Sequence, residues 1–397
     1  MKGKYLLLSL LICSGCLTTI DPQSIDFEDL LVVDARITDE FGFQEIHLSR
    51  TVPVNSDSTR AETGAEVYLE FQNSRIDFFE EEPGIYLSES PFAAQANADY
   101  QLFIDTQRGE SLESSAENMI PTPPVSDLYG EFTPFTITNN EGSGTFNFFF
   151  DSENEVNDSR FYLIEWSETF LLRIPFPSSF QWVGGNEIIP RGPGDSVEFC
   201  YRTREIPDIL VHESQLESSR IVRFPVRTFD SFENSVALRY SFEVTQYSLS
   251  QEAFTYWRQI SDDSEDEGIL IQAQPGSFPG NITDITNRDN TVLGRFDVLS
   301  KQTRRIFARP SDFREDGFRI TSTLFTDCNA DDAFRTPLEE VGEFLSVNTS
   351  FGIWFLESGL NDNPIDGPNV PEVVYLPREC TDCTVFGSNV RPDFWID

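Results

Sequence analysis

Lysine and histidine are nearly missing from this chain. Of its 28 basic residues only Lys2, Lys4 and Lys301 are lysines, and two histidines, His47 and His212, stand against 67 acids, for a formal net charge of −39 at pH 7. A field of that sign repels nucleic acid and anionic lipid, which excludes a nucleic-acid partner. Each histidine lies in or beside an apolar strand without a second at ligand spacing, so a serine triad or a histidine metal site lacks its parts. No G-x-G-x-x-G follows a strand, and neither a P-loop nor H-E-x-x-H occurs. No cofactor is expected. Paired carboxylates are unavoidable among so many acids, so glycoside hydrolysis stays open, but no pair stands out to carry it. The cluster DSENEVND, Asp151 to Asp158, lacks the EF-hand spacing and reads as a turn rather than a calcium site. The acid-rich, lysine-poor composition fits a saline habitat, where salt screens self-repulsion.

Long hydrophobic runs are missing too. Behind Lys2 and Lys4 the apolar run Tyr5 to Ile12 spans eight residues, far below the roughly 20 that cross a bilayer. Residues 1–15 read as a secretory signal. They end Cys13-Ser14-Gly15-Cys16, and small residues just before a cysteine are what bacterial lipoprotein processing requires. Cys16 is therefore the expected lipid anchor, with 16–27 as an acylated tether. Plain secretion is the rival reading. Cleavage there removes Lys2 and Lys4 and no acid, taking the charge from −39 to −41.

What is present is core-forming material. Hydrophobic residues make up 39% of the chain and include 36 Phe, enough to argue against disorder. Nearly 400 residues imply two domains. From Leu30 to Ser115 short alternating segments recur: LLVVDARI, FQEIHLSR, AEVYLEF, RIDFF, GIYLS, DYQLFIDT and ESLESS. In DYQLFIDT, Tyr100, Leu102 and Ile104 share one face, as in a half-buried antiparallel strand. The reading is a mostly β fold: an immunoglobulin-like sandwich over 28–120, a Pro-rich linker at 121–125, and a larger β-rich domain over 126–397. One helix interrupts that second domain. SQEAFTYWRQI has Ser250 as N-cap and places Phe254, Trp257 and Ile260 on one side, with Trp257 in the core. The acidic run Ser261 to Gly268 follows as a solvated loop.

Four more cysteines, Cys200, Cys328, Cys380 and Cys383, would be exported to where disulfides form. Zinc wants two tight ligand pairs and only one is tight, so no metal is expected and two disulfides are. Their pairing stays open among three possibilities. The C-terminal segment then forms a strap, stiffened by Pro392 and plugged into the body by Phe394 and Trp395.

The terminal C-T-D-C-T-x-x-G-x-N-x-x-P-D-F-W, EAFTYW at Glu252 to Trp257, QPGSFPGNI at Gln274 to Ile282 and VLGRF at Val292 to Phe296 together resemble a family of Bacteroidota outer-membrane lipoproteins, the domain of unknown function forty-two forty-nine. LVVDARITDE and DYQLFIDTQRG are similar to it as well. The resemblance implies an outer-membrane, lipid-anchored location, with a gene neighbour that is a SusC-like TonB-dependent β-barrel receptor, and it carries no catalytic residue to any position here. IDFED, Ile25 to Asp29, loosely resembles the acidic signals that send such lipoproteins to the cell exterior. The expectation is a non-enzymatic accessory subunit that meets a peptide or glycan ligand. A surface glycan hydrolase and a stand-alone carbohydrate-binding or adhesion lipoprotein are the alternatives.

Overall fold

A computed structural model describes residues 28–53, 60–135, 142–153, 159–205, 209–214, 221–265, 280–319, 325, 327–357 and 371–396. The signal segment 1–15, Cys16 and the tether 16–27 lie outside them, as do most of DSENEVND and residues 274–279. Among the described residues no helix is long and apolar enough to cross a membrane.

All seven expected N-terminal segments form strands. They are β1 (Leu31–Thr38), β2 (Glu45–Arg50), β4 (Glu66–Phe71), β5 (Ser74–Glu82), β6 (Ile85–Ser88), β7 (Asp99–Asp105) and β8 (Ser111–Ser114), joined by short β3 (Arg60–Ala61) and β9 (Glu117–Asn118). Alternation decides their faces: Leu31, Val33, Ala35 and Ile37 of β1 are buried while Asp34 and Arg36 face away, as a period of two demands. Beyond residue 120 follow β10 (Val125–Pro134), β11 (Gly144–Ser152), β12 (Phe161–Arg173), β13 (Phe180–Gly184), β14 (Glu187–Pro190), β15 (Phe199–Glu205), β16 (Leu210–Glu213), β17 (Ile221–Asp230) and β18 (Arg239–Leu249). Then come α1 (Gln251–Glu265), β19 (Ile282–Asp284), β20 (Val292–Leu299), β21 (Lys301–Ala308), β22 (Phe334–Pro337), α2 (Val341–Val347), β23 (Phe351–Glu357), β24 (Glu372–Pro377) and α3 (Arg378–Thr381). The fold is mostly β.

The first unit is not a self-contained sandwich of residues 28–120. Its ladder runs β19-β8-β7-β4-β5-β6-β2-β1-β20, so two strands from far along the chain form its ends. β20 lies parallel to β1, Leu31 opposite Val292 through Thr38 opposite Leu299. Parallel neighbours need a long crossover, and a reading that moves along the chain pairs only nearby strands. Side chains from both ends of the ladder share one core, in which Ile282, Val292 and Phe296 join Val33, Leu69 and Leu102.

The second unit packs two sheets around phenylalanine. Phe146, Phe148 and Phe150 of the β10-β11-β17 sheet meet Trp166, Tyr240 and Phe242 of the β15-β12-β18-β21 sheet. The Pro-rich stretch between the units is stitched down rather than a free spacer. Thr122 donates its N–H to Ser300 Oγ (3.1 Å) and its hydroxyl to the Ser300 carbonyl (2.6 Å), and accepts from the Ser248 N–H (2.8 Å). Val125 already belongs to β10. With β20 inserted in the first unit and β21 in the second only one residue later, the connector has to run along their shared seam.

Candidate functional site

The seam carries α1. Ser250 caps it as expected, its Oγ accepting the Ala253 N–H at 3.1 Å. Ala253 and Phe254 are buried against Leu163, Leu249 and Leu299, and the Phe254 ring lies 4.7 Å from that of Phe161. Trp257 packs against the same cluster but is only half-buried. Its indole Nε1 donates to Asp297 Oδ2 at 2.9 Å, so the expected core residue is core on one edge and a hydrogen-bond donor on the other.

β20 explains that acceptor. In VLGRFDVL, Phe296 points into the first core while Arg295 and Asp297, two apart, share the opposite face under α1. Both are buried, and a buried pair survives only when each charge has partners. Arg295 Nε reaches Asp297 Oδ1 at 2.5 Å and its Nη2 reaches Glu117 Oε1 at 3.1 Å. Burial pushes the Asp297 carboxyl up, against the pull of the Arg295 guanidinium. The Tyr256 hydroxyl, on the next face of α1, is pushed up to about 12 by burial and by the carboxylates of Asp297 and Asp34. It keeps its proton at neutral pH and is a hydrogen-bond donor.

Asn281 closes the arrangement. Its amide Nδ2 donates to Glu117 Oε1 (2.7 Å) and to the Phe296 carbonyl (2.8 Å), and its Oδ1 accepts the Phe296 N–H (2.9 Å). A side-chain amide thus stands in for a ladder bond where the two ends of the sheet meet. Ser115 Oγ donates to the same Glu117 oxygen at 2.8 Å. Gly280 and Gly294 permit the approach: a Cβ on Gly280 would overlap the Gly294 carbonyl oxygen, and one on Gly294, at φ +96, would overlap that of Val33.

Between these elements lies a groove of about 660 Å³, with Glu117 and Asn118 on one wall, Glu252, Tyr256 and Gln259 of α1 on the other, and Asn281 and Arg295 on its floor. Its size suits a small ligand. Among the described residues no hydrogen bond engages the Tyr256 hydroxyl, the Glu252 carboxylate or the Gln259 amide. The groove therefore offers a hydroxyl hydrogen-bond donor, a carboxylate and an amide over a buried ion pair. EAFTYW, the Gly280–Ile282 end of QPGSFPGNI and VLGRF meet here. The chain belongs to the DUF4249 family. The model of that family, described as a domain of unknown function, matches residues 18–305, a span that contains every lining residue of the groove.

No curated protein matches the chain. Among solved structures, this DUF4249 member aligns with a Bacteroides uniformis protein provisionally described as carbohydrate binding, at 11% identity over 57% of this chain and 93% of that one, with a TM-score of 0.14. It aligns also with a Corynebacterium diphtheriae protein provisionally described as membrane anchored, at 12% identity over 56% and 55% of the two chains, with a TM-score of 0.13. Scores that low carry no argument about function.

The sequence-predicted residues lie elsewhere in the DUF4249 chain. Cys16 is outside the described residues. Cys200 pairs with Cys383 and Cys328 with Cys380, at Cα separations of 5.6 and 5.7 Å. Among the described residues no group of three or more His, Cys, Asp or Glu side chains is placed to hold a metal ion. The strap is plugged by Trp395, buried edge-on to Tyr201 and Phe307, after a turn in which the Pro392 carbonyl accepts the Trp395 N–H at 3.0 Å. Phe394 does not plug. It stays on the surface with the Arg305 guanidinium 3.6 Å over its ring. Phe394 sits within the turn closed by the Trp395 N–H, so its ring stays outside while Trp395 enters the body. Glu117, Asn281, Arg295 and Asp297 escaped the sequence reading. The signal for two of them was there: an Arg and an Asp two apart inside an otherwise apolar strand.

Proposed function

We propose that this chain is a lipid-anchored accessory subunit of an outer-membrane transport complex, held by an acylated Cys16 on the cell-exterior side and seated beside a SusC-like TonB-dependent β-barrel receptor. There it helps capture a peptide or glycan. The observation that carries this reading is the meeting of three separate segments of family likeness around one groove. Its walls expose hydrogen-bonding groups while its floor is fixed by a buried ion pair, a construction suited to holding a ligand. A multiply acylated cysteine is a firm anchor where one chain is marginal. Confinement to a membrane surface raises the effective concentration toward a neighbouring barrel, so a modest interface suffices.

The test is affinity purification from detergent-solubilised outer membranes through a C-terminal tag, with wild type and Cys16→Ser compared for palmitate incorporation and co-purifying proteins. Wild type should carry the label and recover a β-barrel receptor; Cys16→Ser should lose both. Equal labelling of the two would remove the anchor. Recovery of no barrel above background, together with polysaccharide turnover by the purified protein, would replace this reading by the surface hydrolase.

A further inference from the structure

Away from the groove, the strap and the hairpin β13–β14 enclose a second cleft of about 500 Å³. The CTDC segment forms one wall: Asp382 accepts from the Thr384 N–H (3.0 Å) and hydroxyl (2.5 Å) with one oxygen and faces Arg378 at 3.3 Å with the other. The hairpin forms the opposite wall. Trp182, 37% exposed, donates its indole N–H to the Gly185 carbonyl at 2.8 Å, which fixes the ring and leaves its face open.

Arg191, which follows β14, also lines this cleft. Its Nε is buried and makes no hydrogen bond, and its Nη1 reaches only the Asp195 carbonyl at the long distance of 3.5 Å. Among the described residues no carboxylate lies within ion-pair distance of it. In a chain of net charge −39 acids are plentiful, yet this guanidinium has none. A buried donor without an acceptor is costly, and a guanidinium fork matches a carboxylate with two parallel hydrogen bonds.

We propose that this cleft is a second ligand site, for a sugar that bears a carboxylate. The carboxylate takes Arg191, and the apolar face of the pyranose ring lies on Trp182. The ring hydroxyls meet Gln181 and Thr384, which also line the cleft. A sugar is favoured over a peptide terminus because the cleft sets an aromatic face among polar groups, Gln181, Thr384, Arg378 and Asp382, a mixture that suits a ring with one apolar face and a rim of hydroxyls. The chain's overall negative field does not forbid an anion here, since charges beyond about 8 Å are screened at physiological salt and the cleft holds two guanidinium groups, Arg191 and Arg378, against the one carboxylate of Asp382.

The inference is independent of any barrel, and its test uses purified full-length mature lipoprotein in detergent. Titration calorimetry with a galacturonate oligosaccharide, its methyl ester and a tripeptide with a free C-terminus separates the chemistries. We expect saturable binding of the acidic sugar, weakened at least about tenfold by esterification or by Arg191→Gln. Trp182→Ala, at an exposed position, should weaken it as well and serves if Arg191→Gln does not fold. Melting temperature and disulfide content of each variant check the fold. Absence of binding, equal affinity for acid and ester, unchanged affinity in Arg191→Gln, or preference for the tripeptide would each overturn the proposal.

Discussion

At the seam under α1, Asn281 reaches Glu117 across 164 residues of sequence with no covalent tie. Around the strap cleft, residues are locked covalently, by Cys200–Cys383 at a separation of 183 and by Cys328–Cys380 at a separation of 52. The two sites use different means because their supporting cores differ. The floor of the groove rests on the large core of the first ladder, and α1 packs on a cluster around Leu163, Leu249 and Leu299 that joins β12, β18 and β20. The far wall of the strap cleft rests on a small cluster around Val341, Leu345, Ile353, Val373 and Tyr375, and the strap itself reaches the larger phenylalanine core through Cys383 and Phe386. A small core offsets little of the entropy of ordering the segments around it, and cross-links that restrict the unfolded chain supply the difference. The groove should thus open only when its unit unfolds, whereas the cleft should open on reduction.

The largest effect should come from breaking the covalent side. Replacing all four cysteines by serine should cost roughly 2–4 kcal/mol per bridge and raise amide exchange over 371–396, while β1, β20 and α1 stay protected. Hydrogen exchange with mass spectrometry, residue range by residue range, is the measurement. If protection at β20 falls together with that at the strap, the two regions form one cooperative body and the contrast fails.

The non-covalent side breaks at Asp297. Removing one partner of a buried pair leaves the other charge uncompensated, so Asp297→Ala should cost about 3–5 kcal/mol. Asp297→Asn, which keeps an acceptor for the Trp257 N–H, should cost less. Denaturant unfolding ranks the two, and both variants should keep both disulfides and the strap intact. A cost for Asp297→Ala below that of an ordinary surface substitution would mean that Arg295 finds another partner.

These contrasts also explain what could be read from the sequence. The seven N-terminal strands, the Ser250 cap and the strap cysteines are local signals: a period of two, a side-chain oxygen before an apolar turn, a cysteine pair. Each is complete within about ten residues. The parallel β1–β20 pairing, the Asn281 amide that bridges the sheet ends and the approach of the strap to the β13–β14 hairpin exist only after distant segments meet. PTPPV looked like a spacer because proline stiffness is local, whereas the hydrogen bonds of Thr122 to Ser248 and Ser300 are not. Phe394 and Trp395 are both expected to plug the body, and the turn from Pro392 to Trp395 that leaves Phe394 outside is a property of the docked segment.

Acid provides the smallest and most selective probe, because the two units answer it differently. In the first unit the Glu110 carboxyl is held below its usual range, chiefly by the hydrogen bonds of the Arg50 guanidinium, against some burial. Its contribution therefore persists until pH falls well into the carboxylate range. In the second unit His212, paired with Tyr162 across β16 and β12 and edge-on to Phe224 at 5.0 Å, has its imidazole pushed down by burial, with Glu213 pulling weakly the other way. A base whose folded value lies below its unfolded one binds protons more readily when unfolded. Stability is then flat above about pH 6.5, the ordinary histidine value, and falls as pH drops below it toward the folded value. Melting temperatures of wild type and His212→Phe at pH 7.5 and 5.5 give the comparison. Wild type should lose more on acidification than the variant, and the difference cancels the background change in self-repulsion common to both. Equal losses would place the acid sensitivity elsewhere and leave His212 a packing residue alone.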